Sequence, residues 1–381
     1  MQTIGGKLTY SMSEWLEQLK RNGADIPEEK ILELKQSDFT KWDRLKKLNH
    51  LIGLPIHHFY DFEPEEVIED TERVQKFFQQ FPSPIYSIKA EPKQEFEKSH
   101  TRQRKHHATR EEVFEFVKNL QPRPSDYMIS IWEGFAESHS GNLILSPECS
   151  IAEIKKGIHV DLTQGYTTPD ELVYTVEFDL RNPSLTFAPL PDSFPQILTE
   201  ALTCLRVPRN ATMPYATVYG HVSGYFEYLY NEAQGFRFFD FNTVLMNNWA
   251  DIASLFAHQS QRDDAGLEGK VVLKGRSAYP GVVEGRAAVV RGSDELHIVQ
   301  EGDILIAPIT TTEYVPILKK VRGIVCEWGG VTSHPAIIAR ELKIPTIVGV
   351  KGLLGQVRTG DRVEVDADKG IVKIKNKDRR G

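Results

Sequence analysis

The chain has 381 residues, of which 40% are hydrophobic and 26% are charged, and its formal net charge is -7 at pH 7. This length allows two or three domains with a hydrophobic core in each. The acidic balance excludes nucleic acid as a general partner, because neutralising phosphates needs an excess of basic residues.

The cysteines and the N-terminus indicate the compartment. Cys149, Cys204 and Cys326 form neither a CxxC pair nor an even set, which favours a reducing environment. No stretch reaches about 18 consecutive apolar residues, and the N-terminus lacks a charged leader followed by an apolar run. We therefore expect a cytoplasmic protein that does not use a membrane.

Helical patterns dominate residues 1–75. Apolar residues recur at helical spacing over Met12–Arg21 and over 38–51. Pro27 and Pro55 punctuate these segments. We predict a helix-rich N-terminal region without recognisable chemistry.

Residues 76–250 change to short apolar runs of the strand type, such as 85–88, 127–132 and 142–145. A helical period runs over 111–120, and Ser140-Gly141-Asn142 reads as a hairpin signal. This region is therefore predicted to be a mixed α+β domain with antiparallel strands. The segment 251–269 contains the polar stretch 259–266 and is the best interdomain linker.

A hairpin near the end of this domain brings acids together. Strand-like runs at 224–230 and 235–242 flank the turn 231–235, and alternation sends Asp240 and Asn242 to one face, where the register brings Glu227 alongside. Two carboxylates and an amide oxygen are suitable ligands for Mg²⁺. A hairpin with acidic residues on a solvent-exposed face would give the same pattern.

These hairpin residues resemble the end of an ATP-grasp domain, whose usual pattern is a metal-binding Glu, a hairpin and then Glu-x-Asn. Asp240 stands here for the second Glu, and Val244 replaces an Arg that often follows. The resemblance implies an ATP-grasp-like nucleotide domain over 76–250, with Glu227, Asp240 and Asn242 as ligands of Mg²⁺ and with ATP as the bound nucleotide.

The same resemblance implies nucleotide-binding residues upstream. Lys89 is similar to the strand lysine that contacts ATP phosphates, and Trp132 and Glu133 lie in a run similar to the strand along adenine. A solvated lysine and a structural aromatic are the alternatives. The basic cluster 98–110 reads as a solvated loop or as a loop over the phosphates.

The segment Gly329-Gly330-Val331-Thr332-Ser333-His334-Pro335 places a histidine between a glycine turn and a helix. The glycines allow close approach of the backbone, Thr332 or Ser333 is a natural N-cap, and Pro335 suits the first helical turn. The N–H groups of the helix start would stabilise an anion on His334. A neutral imidazole is a competent nucleophile towards phosphorus.

Residues 273–374 resemble the swivelling phosphohistidine domain of phosphoenolpyruvate synthase, pyruvate phosphate dikinase and rifampicin phosphotransferase. The likeness runs through 274–285, 302–308, the histidine motif and 344–349, with Pro335 where Ala is usual. It implies a swivelling β/β/α domain over 270–376. It also implies phosphorylation of His334, assisted by Gly330, Thr332 and Ser333.

Together these resemblances predict an α/β and α+β multidomain protein that phosphorylates its own histidine from ATP with Mg²⁺. The phosphate would pass to a small-molecule or partner-protein acceptor, for which the sequence offers no identifiable site. One alternative is an ATP-grasp carboxylate-activating ligase with the swivelling domain as a lid. Another is a non-catalytic phosphocarrier or regulatory module.

Overall fold

The structure is a computed structural model, which describes residues 3–4, 7–8, 12–21, 23–96, 100, 102–147, 150–159, 173–181, 193–245 and 271–375. The predicted linker 251–269 lies outside these residues. At His334 and Pro335 the backbone is described, and the side chains lie outside the description. The predicted domain boundaries stay predictions.

The described helices and strands follow in chain order. The helices are α1 (Met12–Arg21), α2 (Glu28–Ile52), α3 (Pro64–Ile68), α4 (Glu72–Gln80), α5 (Arg110–Lys118), α6 (Phe194–Cys204), α7 (Val315–Leu318), α8 (His334–Glu341) and α9 (Leu353–Gln356). The first strands are β1 (Thr3–Ile4), β2 (Lys7–Leu8), β3 (Tyr60–Phe62), β4 (Tyr86–Pro92), β5 (Gln103–Ala108), β6 (Tyr127–Glu133), β7 (His139–Leu145), β8 (Ser150–Lys156) and β9 (Val173–Phe178). The remaining strands are β10 (Thr217–Val218), β11 (His221–Val222), β12 (Gly224–Asn231), β13 (Gly235–Asn242), β14 (Val271–Lys274), β15 (Arg276–Tyr279), β16 (Val282–Val289), β17 (Ile304–Ala307), β18 (Gly323–Cys326), β19 (Thr346–Val348), β20 (Arg362–Asp366) and β21 (Ile371–Ile374).

Several predicted elements are confirmed. The helix predicted at Met12–Arg21 is α1, the one predicted over 38–51 lies within α2, and the one predicted over 111–120 overlaps α5. The hairpin predicted around 231–235 is formed by β12 and β13. Apolar periodicity was therefore a sound guide where one face of an element is buried.

The chain divides into two compact units. The smaller unit contains Met1–Tyr10, Pro55–Ser138 and Leu229–Phe238. The larger unit contains Ser11–Leu54, His139–Tyr228 and Phe239–Gly381.

The smaller unit is built on a four-stranded antiparallel sheet in the order β3-β6-β4-β5. One face, which includes Ile88 and Ile131, is buried in a core shared with residues of α3, α4 and α5. Because side chains alternate along a strand, Lys89 and Trp132 point to the opposite face. The sheet therefore has one apolar face and one polar face.

A five-stranded sheet has the order β13-β12-β7-β8-β9, and its residues outside Leu229–Phe238 belong to the larger unit. Helix α6 covers one face, where the Phe194 ring contacts the rings of His139 and Tyr174. The predicted hairpin signal at Ser140-Gly141-Asn142 is wrong, because these residues lie inside β7, which is buried throughout. Glycine is needed at 141, since an added Cβ would lie 2.3 Å from the Tyr228 hydroxyl oxygen.

The C-terminal part of the larger unit is an eight-stranded mixed sheet in the order β14-β21-β20-β16-β17-β18-β19-β15. Strands β16 to β19 are parallel to one another, and β17, β18 and β19 are fully buried. Buried parallel strands are continuous apolar runs, as Ile304–Ala307 is here. Helix α8 connects β18 to β19 and begins at His334. No helix in the described part of the chain is long and apolar enough to cross a membrane.

Candidate functional site

The turn before α8, Gly329–Ser333, is called the histidine turn below. Gly329 has φ 99°, a conformation that favours glycine, and Ser333 is the N-cap residue with proline in the first turn of the helix, as predicted. The Ser333 hydroxyl makes no hydrogen bond to the helix and donates instead to the Gly330 carbonyl at 2.7 Å. The turn is therefore closed on itself and presents the N–H groups of Val331 and Thr332.

A buried carboxylate receives those N–H groups. Glu153 lies in β8 and is 0% exposed, and its Oε1 accepts from Val331 N at 2.6 Å while its Oε2 accepts from Thr332 N at 3.1 Å. The Thr332 hydroxyl also donates to Oε2, and the Thr175 hydroxyl donates to Oε1 at 3.1 Å. A carboxylate has about four lone-pair positions, so these four donors saturate it.

Gly330 allows this approach. A Cβ at Gly330 would lie 2.5 Å from Glu153 Oε1, which is closer than real Cβ contacts. The glycine predicted to let the backbone approach an anion does so here, with a protein carboxylate as the anion. We call the set of hydrogen bonds from Val331 and Thr332 to Glu153 the docking contact.

A second polar residue of the sheet supports the docking contact. Asn142, opposite Glu153 in the β7–β8 register, donates from Nδ2 to Thr332 Oγ1 at 2.7 Å. Its Oδ1 lies 2.8 Å from His159 Nε2, which must carry a proton to donate to an amide oxygen. The chain of bonds from His159 through Asn142 to Thr332 therefore fixes the threonine hydroxyl so that it donates to Glu153.

Two guanidinium groups balance the charge of Glu153, of which Arg340 is a half-buried residue and Arg276 an exposed one. Arg340 donates to the carbonyls of Val331 at 2.6 Å and Ala278 at 3.1 Å, and Arg276 donates to the Thr175 carbonyl at 2.8 Å. Burial lowers the pKa of Arg340 to about 10 and also lowers that of Arg276, and the charge of Glu153 opposes both shifts. The docking contact therefore lies in a buried and charged environment rather than an apolar one.

The predicted metal ligands Glu227 and Asp240 lie close together in the larger unit and form what we call the acid pair. Burial, and after it the charge of Asp240, raises the pKa of Glu227 to about 8. Tyr225 donates to Glu227 Oε1 at 2.7 Å. Asp240 Oδ1 is buried and has no hydrogen-bond partner among the described residues. Two largely buried carboxylates that repel each other, one of them with an oxygen that has no donor among the described residues, fit a divalent cation.

Helix α2 contributes a cation to the acid pair. Lys41 Nζ lies 3.9 Å from Asp240 Oδ2, and its charge lowers the pKa of Glu227 against the larger effects that raise it. Arg44 donates to the Phe241 carbonyl at 2.9 Å. The N-terminal region was predicted to carry no recognisable chemistry, and no sequence signal identifies Lys41, because a lysine on an exposed helix face is ordinary.

Asn242 is placed differently from its predicted role. Its Oδ1 accepts from Val244 N at 2.9 Å and from Leu245 N at 3.1 Å, so it is engaged in the turn after β13. Within the described part of the chain, no group of three or more His, Cys, Asp or Glu side chains could hold a metal ion. A cation at the acid pair would therefore need further oxygens from water or from phosphate, and the metal role of Asn242 stays a prediction.

The acid pair and the docking contact share their electrostatic surroundings. Asn142, Glu153 and Thr175 are register partners across three strands and so point the same way. Burial raises the pKa of Tyr225 well above its usual range, and the charges of Glu227, Asp240 and Glu153 raise it further. The Tyr225 hydroxyl therefore lies within the electrostatic reach of all three acids.

The polar face of the smaller unit has the opposite charge. Lys89 lies directly opposite Arg104 in the β4–β5 register. Between the basic residues, Glu91 pairs with Lys89 at 2.8 Å and with Arg102 at 2.5 Å. Burial alone would raise the pKa of Glu91, but the charges of Arg102 and Lys89 outweigh it and lower the pKa to about 2. The prediction of a loop for the basic cluster 98–110 is wrong over Gln103–Ala108, because these residues form strand β5.

His106 completes what we call the basic face, made of Lys89, Arg102, Arg104 and His106. Its Nδ1 lies 3.0 Å from the Ser87 hydroxyl, and its Nε2 is buried without a hydrogen-bond partner in the described residues. Burial, and after it the charge of Arg104, lowers the pKa of His106 to about 3. The basic face therefore keeps this imidazole neutral.

The two residues predicted to line adenine lie on different faces of β6. Trp132 is on the polar face, where its ring lies 4.8 Å from that of Phe59. Glu133 points the other way, with Oε1 3.2 Å from His58 Nδ1 and 4.0 Å from Arg237 Nε. Trp132 therefore shares the polar face with Lys89, while the Glu133 carboxylate does not.

The C-terminal part of the chain is similar to a known protein family. Residues 299–370 match the model of the PEP-utilising enzyme, mobile domain. This part of the chain is a PEP-utilising mobile domain. The resemblance inferred from the histidine motif and its flanking segments is confirmed, and the histidine turn and α8 lie inside this mobile domain.

Curated relatives of this chain match the same region. A probable phosphoenolpyruvate synthase of Archaeoglobus fulgidus is 44% identical over 105 residues, which are 28% of this chain and 14% of that protein. The phosphoenolpyruvate synthase of Pyrococcus furiosus is also 44% identical over 105 residues, or 28% of this chain and 13% of that protein. The similarity thus spans about one seventh of the length of these relatives and is limited to the mobile domain.

Among solved structures, the macrocyclase MdnC of Microcystis aeruginosa bound to its precursor peptide is 13% identical. The match covers 57% of each chain with a TM-score of 0.29, which is too low to establish a shared fold. The part of the chain before the mobile domain is therefore interpreted from its own geometry.

Proposed function

We propose that the chain is an ATP-dependent phosphotransferase that phosphorylates His334 and passes the phosphate to a second acceptor. The observation that carries the proposal is the docking contact, which shares its electrostatic surroundings with the acid pair. Val331 and Thr332, three and two residues before His334, are held by Glu153, and the charges of Glu153, Glu227 and Asp240 all act on Tyr225. A phosphoryl carrier must reach its donor in line, so its turn should dock beside the site that holds the donor.

The acid pair is the proposed Mg²⁺ site. Its two carboxylates repel each other, and the buried Asp240 Oδ1 lacks a donor among the described residues, so both features favour a cation. Bound Mg²⁺ would neutralise charge on the phosphate oxygens of the nucleotide. Asn242 remains a proposed third ligand, on the condition that its Oδ1 exchanges its backbone donors.

The basic face of the smaller unit is the proposed contact for ATP phosphates, and Trp132 on the same face is the proposed contact for adenine. Like charges directly opposite each other in a sheet are destabilising, so Lys89 opposite Arg104 favours an anionic ligand. Glu133 stays a proposed nucleotide-binding residue without support from the direction of its carboxylate. These charges and pairings support an ATP-grasp-like nucleotide domain as the interpretation of the region before the mobile domain.

The proposed step is a displacement at phosphorus. An unprotonated ring nitrogen of His334 forms the N–P bond as the P–O bond to the leaving nucleotide breaks, and the electron pair goes to the leaving oxygen. Water or an acceptor hydroxyl or carboxylate would then take the phosphoryl group from nitrogen. The acceptor is proposed to be a small molecule or a partner protein.

The test is incubation of the pure protein with Mg²⁺ and ATP labelled at the β or the γ phosphorus. We expect protein-bound label that is stable in alkali and lost in acid, and the position that transfers label fixes the nucleotide product. Hydrolysis or an acyl phosphate without labelled protein would contradict the proposal. An acyl phosphate would favour the ligase interpretation instead.

A further inference from the structure

Glu153 is a fully buried carboxylate that the proposed reaction does not use. It belongs to the central sheet, yet its donors on Oε2 both come from Thr332 of the mobile domain. With Val331 N on Oε1, three of its four donors belong to the histidine turn. A saturated and fully buried carboxylate usually supports its own element, whereas this one holds another domain.

The histidine turn binds Glu153 as it would bind a phosphoryl group. The donors are two successive backbone N–H groups and a hydroxyl directly before a helix, which is a favourable arrangement for an anion. Gly330 leaves space for the carboxylate and for nothing larger than hydrogen on its Cα. A protein carboxylate therefore occupies the donors that lie two and three residues before His334.

We propose that Glu153 is a positioning residue that docks the unphosphorylated mobile domain, and that phosphorylation of His334 releases it. This inference rests on the proposed function. A phosphoryl group carries a charge of about -1.5 to -2 near pH 7 and three acceptor oxygens. It competes for the N–H groups of Val331 and Thr332 and repels the Glu153 carboxylate.

The charges around the histidine turn allow one anion to replace another there, so that the phosphoryl group takes the place of the Glu153 carboxylate. Arg340 holds the Val331 carbonyl and lies within reach of the Glu153 charge. When Glu153 leaves, this guanidinium and the turn donors remain with the phosphoryl group. The mobile domain therefore keeps an anion partner after release and can carry the phosphate away from the acid pair.

Distance measurement on the full-length chain tests the inference. Spin labels at Lys156→Cys in β8 and Val282→Cys in β16, both exposed positions, report the separation of the sheet and the mobile domain after the native cysteines are replaced by Ala. Without ATP we expect one narrow distance distribution. Glu153→Gln should lower the ratio of docked to undocked molecules at least tenfold, because hydrogen bonds to a charged acceptor are about twice as strong as neutral ones.

The matched control is Glu177→Gln, which removes the same charge from the neighbouring strand β9 and should leave the distribution narrow. Thermal melting checks that both variants fold as the parent does. An unchanged narrow distribution in Glu153→Gln would overturn the docking role even if His334 becomes labelled, and a global loss of stability in that variant would also count against it.

The same distance measurement with ATP tests whether phosphorylation releases the mobile domain. After incubation with Mg²⁺ and ATP, the parent should lose the narrow distribution, and His334→Ala should keep it under the same conditions. A phosphorylated parent that stays narrow would overturn release. Absence of protein-bound phosphate would count against the proposed function alone, because the measurements without ATP still decide the role of Glu153.

Discussion

Two sheets of this protein each pack one face into a core and leave the other polar, but the two polar faces carry opposite charge. The four-stranded sheet bears the basic face with Lys89 and Arg104, and the five-stranded sheet bears the acid pair and Glu153. Burial, and after it the charge of Arg104, lowers the pKa of His106 on the first sheet, whereas burial, and after it the charge of Asp240, raises that of Glu227 on the second.

The difference identifies what each face requires. A fold that only needed stability would pair its buried charges, as Glu153 is paired by its four donors. On the basic face Glu91 pairs with Lys89 and Arg102 but His106 Nε2 has no partner in the described residues. At the acid pair Lys41 lies 3.9 Å from Asp240 Oδ2, while Asp240 Oδ1 has no partner in that part of the chain. An anionic ligand would stabilise the basic residues of the first face, and a cation would stabilise the acid pair of the second.

The largest expected effect comes from removing one charge of the acid pair. Glu227→Gln or Asp240→Asn should each slow phosphorylation of the protein by about 10² to 10³, because charge stabilisation at a transferring phosphoryl group is worth that much. Initial rates of labelling by ATP measure the effect. Glu200→Gln in α6, on the other face of the same sheet, is the control and should label at the parent rate. Equal rates in all variants would remove the acid pair from the mechanism.

A smaller effect is expected at the basic face. Lys89→Met should raise the Kd for ATP about tenfold to a hundredfold, since a hydrogen bond to a charged group contributes about 1.5–3 kcal/mol. Titration calorimetry of the variant against Lys76→Met, which removes an exposed charge from α4 of the same unit, separates a local contact from net charge. If the two variants bind ATP equally well, the basic face is not the nucleotide site.

The smallest effect concerns the pH dependence of stability. The pKa of His106 is about 3 in the folded chain and near 6.5 unfolded, so the unfolded state binds the extra proton first and stability falls as pH drops below about 6.5. His106→Gln should remove about 2 kcal/mol of the loss between pH 7 and pH 5. Urea unfolding at both pH values measures it. The same loss in both proteins would mean that His106 is not held neutral by the basic face.

The histidine turn was predictable because its chemistry is local. Glycine at 329, the N-cap at Ser333 and Pro335 act within one turn, so their spacing in the sequence is also their spacing in space. The hairpin was predictable for the same reason, and it brings Glu227 and Asp240 together.

The partners of these local motifs were not predictable. Glu153 is far from the histidine turn in sequence and lies in a strand whose alternation marks no special position. Lys41 comes from a helix in the region predicted to lack chemistry. The basic residues Arg104 and His106 were assigned to a loop, because a run of charges hides the alternation of strand β5. Contacts between distant segments depend on packing, which periodicity does not encode.

The site at which phosphate attaches to the protein is the most direct test of the proposed phosphorylation of His334. After incubation with Mg²⁺ and ATP, peptide mapping by mass spectrometry at alkaline pH should locate one phosphoryl group on the peptide that contains His334. The group should be lost in acid and be absent from His334→Ala, which should still bind ATP and melt at the parent temperature. Phosphate on any other residue, or undiminished labelling of His334→Ala, would contradict the phosphorylation of His334.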